Sequence, residues 1–440
     1  MPNTTHLGSV DRQLRAFRLG ATVALAVAAA AGPALAAPDS LLHSFSGLSG
    51  EGITPVAPVV LGSDGFLYGT TQNAGAYSAG TVFKVRTDGT GFSVLHGFPS
   101  SFPEGYAPPA AVVLDGSGNM YGTTQFGGAS NIGTVFTLRT DGSGFATVYS
   151  FSGGPSDGST PLSDLVLDGS GYLYGTTQLG GLYGSGIVFK VKTNGTGLAI
   201  LHSFAGMPDG DGPPAGVVMD SSGWLYGTTS QGGTYGWGTV FKVKSDGTGY
   251  ATLYSFTGGT TDGGLPAAGL ALAHGSVLYG TTELTGAYGS GTVFSIGTDG
   301  NGFRDLFDFG ATFTDGSNPM AAVTLAGADE VFGTTIAGGD FGVGTVFKVR
   351  TDGSGYAIVH SFAGGTADGS LPYAAVTVDS SGNVYGTTTS GGAFGSGLGT
   401  VFEIARAAPT AVPVLGGAGR VALIAGLAAA AALALRRRAS

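Results

Sequence analysis

The chain of 440 residues has no cysteine, so neither a disulfide framework nor a thiolate metal site can organise it. Charge is also scarce. Only 10 % of residues are Asp, Glu, Lys or Arg, while 42 % are hydrophobic and 10 % aromatic, which excludes a disordered polyelectrolyte. Bases are the rarer sign, 18 against 28 acids, and the net charge of −10 argues against a nucleic-acid partner. Good helix formers are displaced by 84 Gly and 19 Pro, which excludes a helical bundle. The glycines show no period of three, so collagen is excluded as well. What remains is a glycine-rich, all-β chain.

Long apolar runs occur only at the two ends. Arg12, Arg15 and Arg18 precede the apolar stretch from Leu19 to Ala31, and Ala34-Leu35-Ala36 places small residues where a signal peptidase cuts. Residues 1–36 are therefore expected to be a secretory signal peptide. At the other end, Val421 to Leu435 is uncharged and apolar, and Arg436-Arg437-Arg438 follows. A basic end stays cytoplasmic, which would leave the preceding domain outside. Residues 407–440 are thus expected to be a linker plus a transmembrane or sorting segment. Val412-Pro413-Val414-Leu415, the apolar run and the Arg cluster together resemble the PEP-CTERM/IPTL-CTERM type of sorting tail. That resemblance implies a sorting protease as partner and a place at the cell surface.

The middle repeats. Tyr-Gly-Thr-Thr begins at Tyr68, Tyr121, Tyr174, Tyr226, Tyr279 and Tyr385, with Phe332 replacing Tyr once, at spacings of 53, 53, 52, 53, 53 and 53. Each unit holds four strand-like segments, named a to d. In the second unit they are 109–114, 119–124, 133–139 and 146–151. Asp115-Gly116-Ser117-Gly118 links a to b, and Thr140-Asp141-Gly142-Ser143-Gly144 links c to d; both are tight-turn chemistry. Four strands in about 50 residues predict a propeller blade. The chain starts with a d-type segment, Leu41 to Phe45, and ends with a c-type segment, Gly399 to Ile404. The first strand is therefore expected to complete the last blade of a seven-bladed β-propeller spanning 37–406. Strand a, rich in small residues, should be innermost, and the longer b–c and d–a loops should share one face.

The repeated motifs Tyr-Gly-Thr-Thr, Gly-Thr-Val-Phe-Lys-Val and Thr-Asp-Gly-(Thr/Ser)-Gly closely resemble the GloVer tandem repeat of bacterial choice-of-anchor proteins over about residues 41 to 405. The resemblance implies an exported, surface-associated protein and carries no catalytic residue with it.

Two sets of loop residues are candidates for function. An acid stands four residues before each recurring Pro: Glu51, Glu104, Asp157, Asp209, Asp262, Asp315 and Asp368. Seven carboxylates around a channel mouth could hold Ca²⁺; the alternative is that each carboxylate accepts backbone N–H groups and shapes its own loop. Six residues after the last Thr of each motif come Tyr77, Tyr183, Tyr235, Tyr288, Phe341 and Phe394, and Ser130 breaks the series. These rings could stack on a sugar of a glycan or on a surface protein, or they could pack between blades. His43, His96, His202 and His360 share a d-strand position with Tyr149, Tyr254 and Phe307, which points to packing. Residues 37–405 hold ten bases, nine of them on c strands, against 27 acids.

The leading expectation is an exported, surface-anchored, non-catalytic propeller that presents a binding or structural face and needs no cofactor. One alternative is a carbohydrate-active enzyme using acids of blades four to six, where Asp211, Trp237, Glu283 and Asp340 break the repeat. The other is a purely architectural surface protein.

Overall fold

The computed structural model describes residues 40–406 apart from 49, 101, 102, 274, 275 and 396. The expected signal peptide and C-terminal segment lie outside the described residues. Among the described residues no helix is long and apolar enough to cross a membrane, and the one helix is a 3₁₀ turn at Phe313–Asp315.

Seven blades follow one another, each an antiparallel ladder in the order a-b-c-d; in the first, the loop strands Gly52–Ile53 and Asn73–Ala74 join the same sheet. In blade two the strands are Val113–Leu114, Asn119–Thr124, Thr134–Arg139 and Ala146–Ser150. Blade seven is built from both ends of the propeller. Thr377–Val378, Val384–Thr388 and Thr400–Ile404 supply a, b and c, and Ser40–Ser44 supplies d. That last pairing puts Leu41 opposite Phe402 and Ser44 opposite Thr400, so the ring closes as expected. The chain is a seven-bladed β-propeller.

Strand a is shorter than its apolar segment suggests. In blade two only Val113–Leu114 is laddered, because the residues before it lean on the neighbouring blade instead. There the repeated motif finds its purpose. The first Thr of each motif donates to a carbonyl in the next blade's a segment: Thr70 to Ala110, Thr123 to Ser163, Thr176 to Ala215, Thr228 to Ala268, Thr281 to Ala321, Thr334 to Ala374 and Thr387 to Ala57, all at 2.7–3.1 Å. The second Thr turns back within its own blade, as in Thr229 to Thr239 at 2.8 Å. The Tyr hydroxyl reaches the a–b turn, as in Tyr226 to Asp220 at 3.0 Å. The Gly makes room for the Phe of strand c: a Cβ at Gly227 would lie 2.6 Å from the Phe241 ring.

The core consists of seven apolar clusters, each formed by two adjacent blades. Between blades three and four, for example, Tyr174, Val188 and Phe204 of one pack on Leu225, Phe241 and Val243 of the other. The Gly before each strand c adopts φ of +91° to +110°, and a side chain there would collide with the recurring Pro of the next blade. Gly399 against Pro55 repeats this contact across the closure.

Candidate functional site

The b–c and d–a loops share one face and pair with each other. Gly158–Ser159 joins Leu179–Gly180, Gly210–Asp211 joins Gln231–Gly232, and Gly369–Ser370 joins Ser390–Gly391. Both candidate sets lie in this double layer of loops.

The acids are fastened to the outer strand d and do not converge on the axis. The Asp157 carboxylate accepts from the Tyr149 hydroxyl at 3.0 Å, from the Ser152 N–H and hydroxyl at 2.7 Å, and from the Gly158 N–H at 2.7 Å. Asp262 is held in the same way by Tyr254 and Thr257. His202 faces Asp209 at 2.9 Å and His360 faces Asp368 at 3.1 Å. Burial opposes ionisation of Asp209, but bonds from His202, Tyr250 and the Ala205 N–H outweigh it and hold the carboxyl below its usual range. Glu51 takes the Ser46 N–H and hydroxyl, and Asp315 takes the Thr312 N–H and hydroxyl. Glu104 faces His96 at 3.4 Å. Six of the seven carboxylates, all but Glu104, thus organise their own loops, the alternative to a calcium ring. Among the described residues no three His, Asp or Glu side chains gather as a metal site.

The histidines do pack, and against the neighbouring blade. His43 stacks on Phe92 at 3.6 Å, His96 on Phe145 at 3.8 Å and His202 on Tyr250 at 3.4 Å; Tyr254 on Phe303 and Phe307 on Tyr356 repeat the arrangement. Burial holds the His43 and His96 imidazoles below their usual range despite the nearby glutamates. The bases lie on the opposite side. Lys84, Lys190 and Lys242 donate to carbonyls of the next blade's c–d turn, and they lie over Phe66, Tyr172 and Trp224.

The six aromatics behave differently. Tyr77, Tyr183, Tyr235, Tyr288, Phe341 and Phe394 are 57–62 % exposed, so they do not pack between blades. Each stands third in a tight turn, as in Gly181 to Gly184, where the Gly184 N–H donates to the Gly181 carbonyl at 3.2 Å. Four of the six turns are clamped to the outer strand by the N–H before the aromatic. Leu182 donates to Ser203, Thr234 to Ser255, Ala287 to Asp308 and Asp340 to Ser361, at 2.6–3.3 Å. The rings therefore crown the outer rim of the loop face on fixed supports. Phe313, 72 % exposed, belongs with them: a side chain at Gly342, next to Phe341, would meet its ring at 3.0 Å. It lies in a d–a loop and shares no period with the rest, so the repeat pattern could not reveal it.

The repeat-breaking acids of blades four to six are not brought together. Asp211 lies in a loop strand before blade four, Glu283 and Asp340 on the b–c loops of separate blades, and Trp237 packs into the core between blades four and five. Burial raises the Glu283 carboxyl above its usual range, with no second acid acting on it. A cavity of about 210 Å³ lies elsewhere, between blades six and seven, lined by Leu41, His360, Phe362, Asp368 and Phe402 among others. The repeat does not mark one further acid: Asp164, exposed in the a segment of blade three, accepts the Ala111 N–H of the preceding blade at 2.7 Å.

Comparison with known families places this architecture. The Gloeobacter/Verrucomicrobia repeat model matches residues 34–217 and 165–402, and the chain belongs to that repeat family. No curated protein matches it in sequence. Among solved structures it is similar to the Niastella koreensis GH74 enzyme, at 15 % identity and a TM-score of 0.54, over 82 % of this chain and 53 % of that one. The extracellular domain assigned to a hybrid two-component system of B. thetaiotaomicron gives 9 % and 0.54, over 82 % of this chain and 39 % of that one. Oligogalacturonate lyase from Vibrio parahaemolyticus gives 8 % and 0.52, over 83 % and 91 %. The chain thus spans about half or less of the length of the first two. At these identities the likeness is one of fold.

Proposed function

We propose that the protein is an exported, surface-anchored propeller that binds an external ligand through the aromatic rim and performs no chemistry there. The observation that carries the reading is the exposure of six aromatic rings at one repeated position, four of them on turns clamped to the outer strand of their blade. Burying such rings would contribute to stability, yet this position leaves them open in six blades. Aromatic rings at least half open to water on rigid supports are suited to stacking on a partner. The ends of the chain complete the reading: a leader for export and a tail for sorting to the cell envelope.

Glycan binding by the full-length protein, measured with and without Tyr235→Ala and Tyr288→Ala together, tests it. Binding that is lost while the melting temperature holds supports a recognition face. Binding that survives the double change overturns the rim. A protein that binds nothing across a broad panel of glycans and surface proteins is the architectural alternative.

A further inference from the structure

The rim's charge surroundings narrow its ligand, on the reading just proposed. The described residues contain eleven Lys and Arg. Each lies on a strand c, just past its end, or at the start of strand d, on the side of the a–b and c–d turns. The loop face carries none. It carries the seven loop acids instead, and Glu104, Asp211, Glu283, Asp308 and Asp340 are at least partly open to water. Among the described residues the charged groups of the loop face are thus acids, with His43, His96, His202 and His360 beside four of them, while every Lys and Arg is confined to the other face.

Two physical consequences follow. Carboxylates with no Lys or Arg among them, and only the histidines of strand d as possible cations, give that face a negative potential over about one Debye length, about 10 Å at 0.1 M salt. The faces of the rim rings add their own negative quadrupole, which attracts an ammonium group. An anionic polymer is repelled, and a neutral one gains only stacking. The rings stand on separate turn tips in six of the seven blades, glycine on one side of most of them, with Phe313 beside Phe341 and the exposed Leu182 beside Tyr183 adding apolar surface. A protein partner would need a continuous core of about 800 Å² on each side with anchors in pockets. Separate rings around a rim instead fit a chain of small repeating units, each with an apolar face.

We propose that the rim binds a polysaccharide of amino sugars with free, protonated amines, several blades holding one chain. The sugar faces stack on the rings, and the ammonium groups meet the ring faces and the acidic field. Linking several weak contacts along one polymer raises the overall affinity well above that of a single unit.

Titration of the full-length protein with a soluble, de-N-acetylated glucosamine polymer tests this, at a pH where its amines are charged. The comparison ligands are the N-acetylated oligomer, a sulfated polysaccharide and polylysine. The expected result is that the amine polymer binds at least tenfold more tightly than the acetylated one and the sulfated polymer does not bind. Raising salt from about 0.02 M to about 0.5 M should weaken it, as should shortening the polymer or changing Tyr235 and Tyr288 to Ala. Equal, tyrosine-dependent binding of the acetylated oligomer overturns the cationic preference and leaves the rim as the binding face. Polylysine binding as tightly as the amine polymer, indifferent to both tyrosines, shows charge alone at work and overturns both. No binding of the amine polymer overturns the proposal.

Discussion

The Thr387 hydroxyl donates to the Ala57 carbonyl at 2.9 Å, joining residues 330 positions apart in the chain. The same bond links the other adjacent blades over only 39 or 40 positions. Here it stitches the last blade to the first. Other contacts cross that seam, among them the Ser40–Ser44 strand on Thr400–Ile404, the Phe45 N–H on the Gly399 carbonyl at 3.0 Å, and Pro55 over Gly399.

Thr387→Val should therefore cost about 1–3 kcal/mol by leaving the Ala57 carbonyl short of a partner in a buried place. Thr228→Val, at the same position in blade four, should cost about the same, because both bonds are buried. Deleting residues 40–44 should do far more, since blade seven then ends on an open strand edge. Chemical denaturation of the three variants checks the order. A deletion variant that melts like the parent would show that the ring does not depend on its closing strand.

Gly227→Ala tests the tightest spot inside a blade. The added carbon would lie 2.6 Å from the Phe241 ring and 3.2 Å from Val217. Overpacking of this kind costs about 1–3 kcal/mol. Phe241→Leu in the same chain should recover part of the loss by vacating the ring's place, whereas Phe241→Leu alone should destabilise by leaving a void. Melting temperatures of the single and double variants decide it.

Calcium should change nothing. Asp157 and Asp262 are 2 % exposed, and their oxygens are engaged by Tyr, Ser and Thr groups of their own loops. A cation would have to break those bonds and draw seven separate carboxylates together. Melting curves with millimolar Ca²⁺ and with chelator should coincide. Asp157→Asn should lower the melting temperature in both, because its amide cannot accept all four bonds that the carboxylate takes.

How far the sequence reaches can be seen residue by residue. Period alone located the blades, the closing strand and the recurring Tyr-Gly-Thr-Thr. It could not say why Thr228 recurs, because its partner Ala268 is 40 residues away in the next blade. It marked Asp209 and His202 separately, and only the d-strand geometry brings them to 2.9 Å. It found Tyr235 but left open whether the ring is buried or bare, since either role repeats with the same spacing. Phe313, Asp164 and Asp305 were invisible for the opposite reason: they occur once, and repetition was the signal.

The rim tyrosines should be silent in stability. Tyr235 and Tyr288 are 58 % and 57 % exposed, and the clamps on their turns run through the backbone N–H groups of Thr234 and Ala287. Replacing both by Ala keeps those bonds and exposes no core, so the melting temperature should move by no more than about 1–2 °C. Ser255→Ala is the contrasting change. It removes the acceptor for the Thr234 N–H, should loosen the Tyr235 turn, and should weaken ligand binding although Ser255 lies behind the ring. Hydrogen exchange at the Thr234 amide checks this directly, and unchanged protection in Ser255→Ala would show that the clamp does not hold the turn.

Asp305 gives the protein a pH dependence with a definite sign. It occupies the d-strand position that holds Leu41, Val94, Thr147, Ile200, Thr252 and Ile358 in the other blades. Its Oδ1 is buried without a hydrogen-bond partner. Burial first, then the charge of Asp308, pushes its carboxyl up to about 7. In the unfolded chain the same group titrates near 4, at about 3.9. Between those two values the folded protein holds a proton that the unfolded chain has released, so stability falls as the pH rises through that window. The cost is complete above pH 7 and absent below pH 4. Asp305→Thr, which restores the residue of blades two and four, should raise the melting temperature at pH 8 and have little effect at pH 4. Asp308 keeps its bond to the Ala287 N–H in that variant, so the b–c loop of blade five stays in place. Melting temperatures of parent and variant from pH 4 to pH 8 check the prediction: the two curves should diverge steadily as the pH rises, and parallel curves would show that Asp305 does not carry the effect.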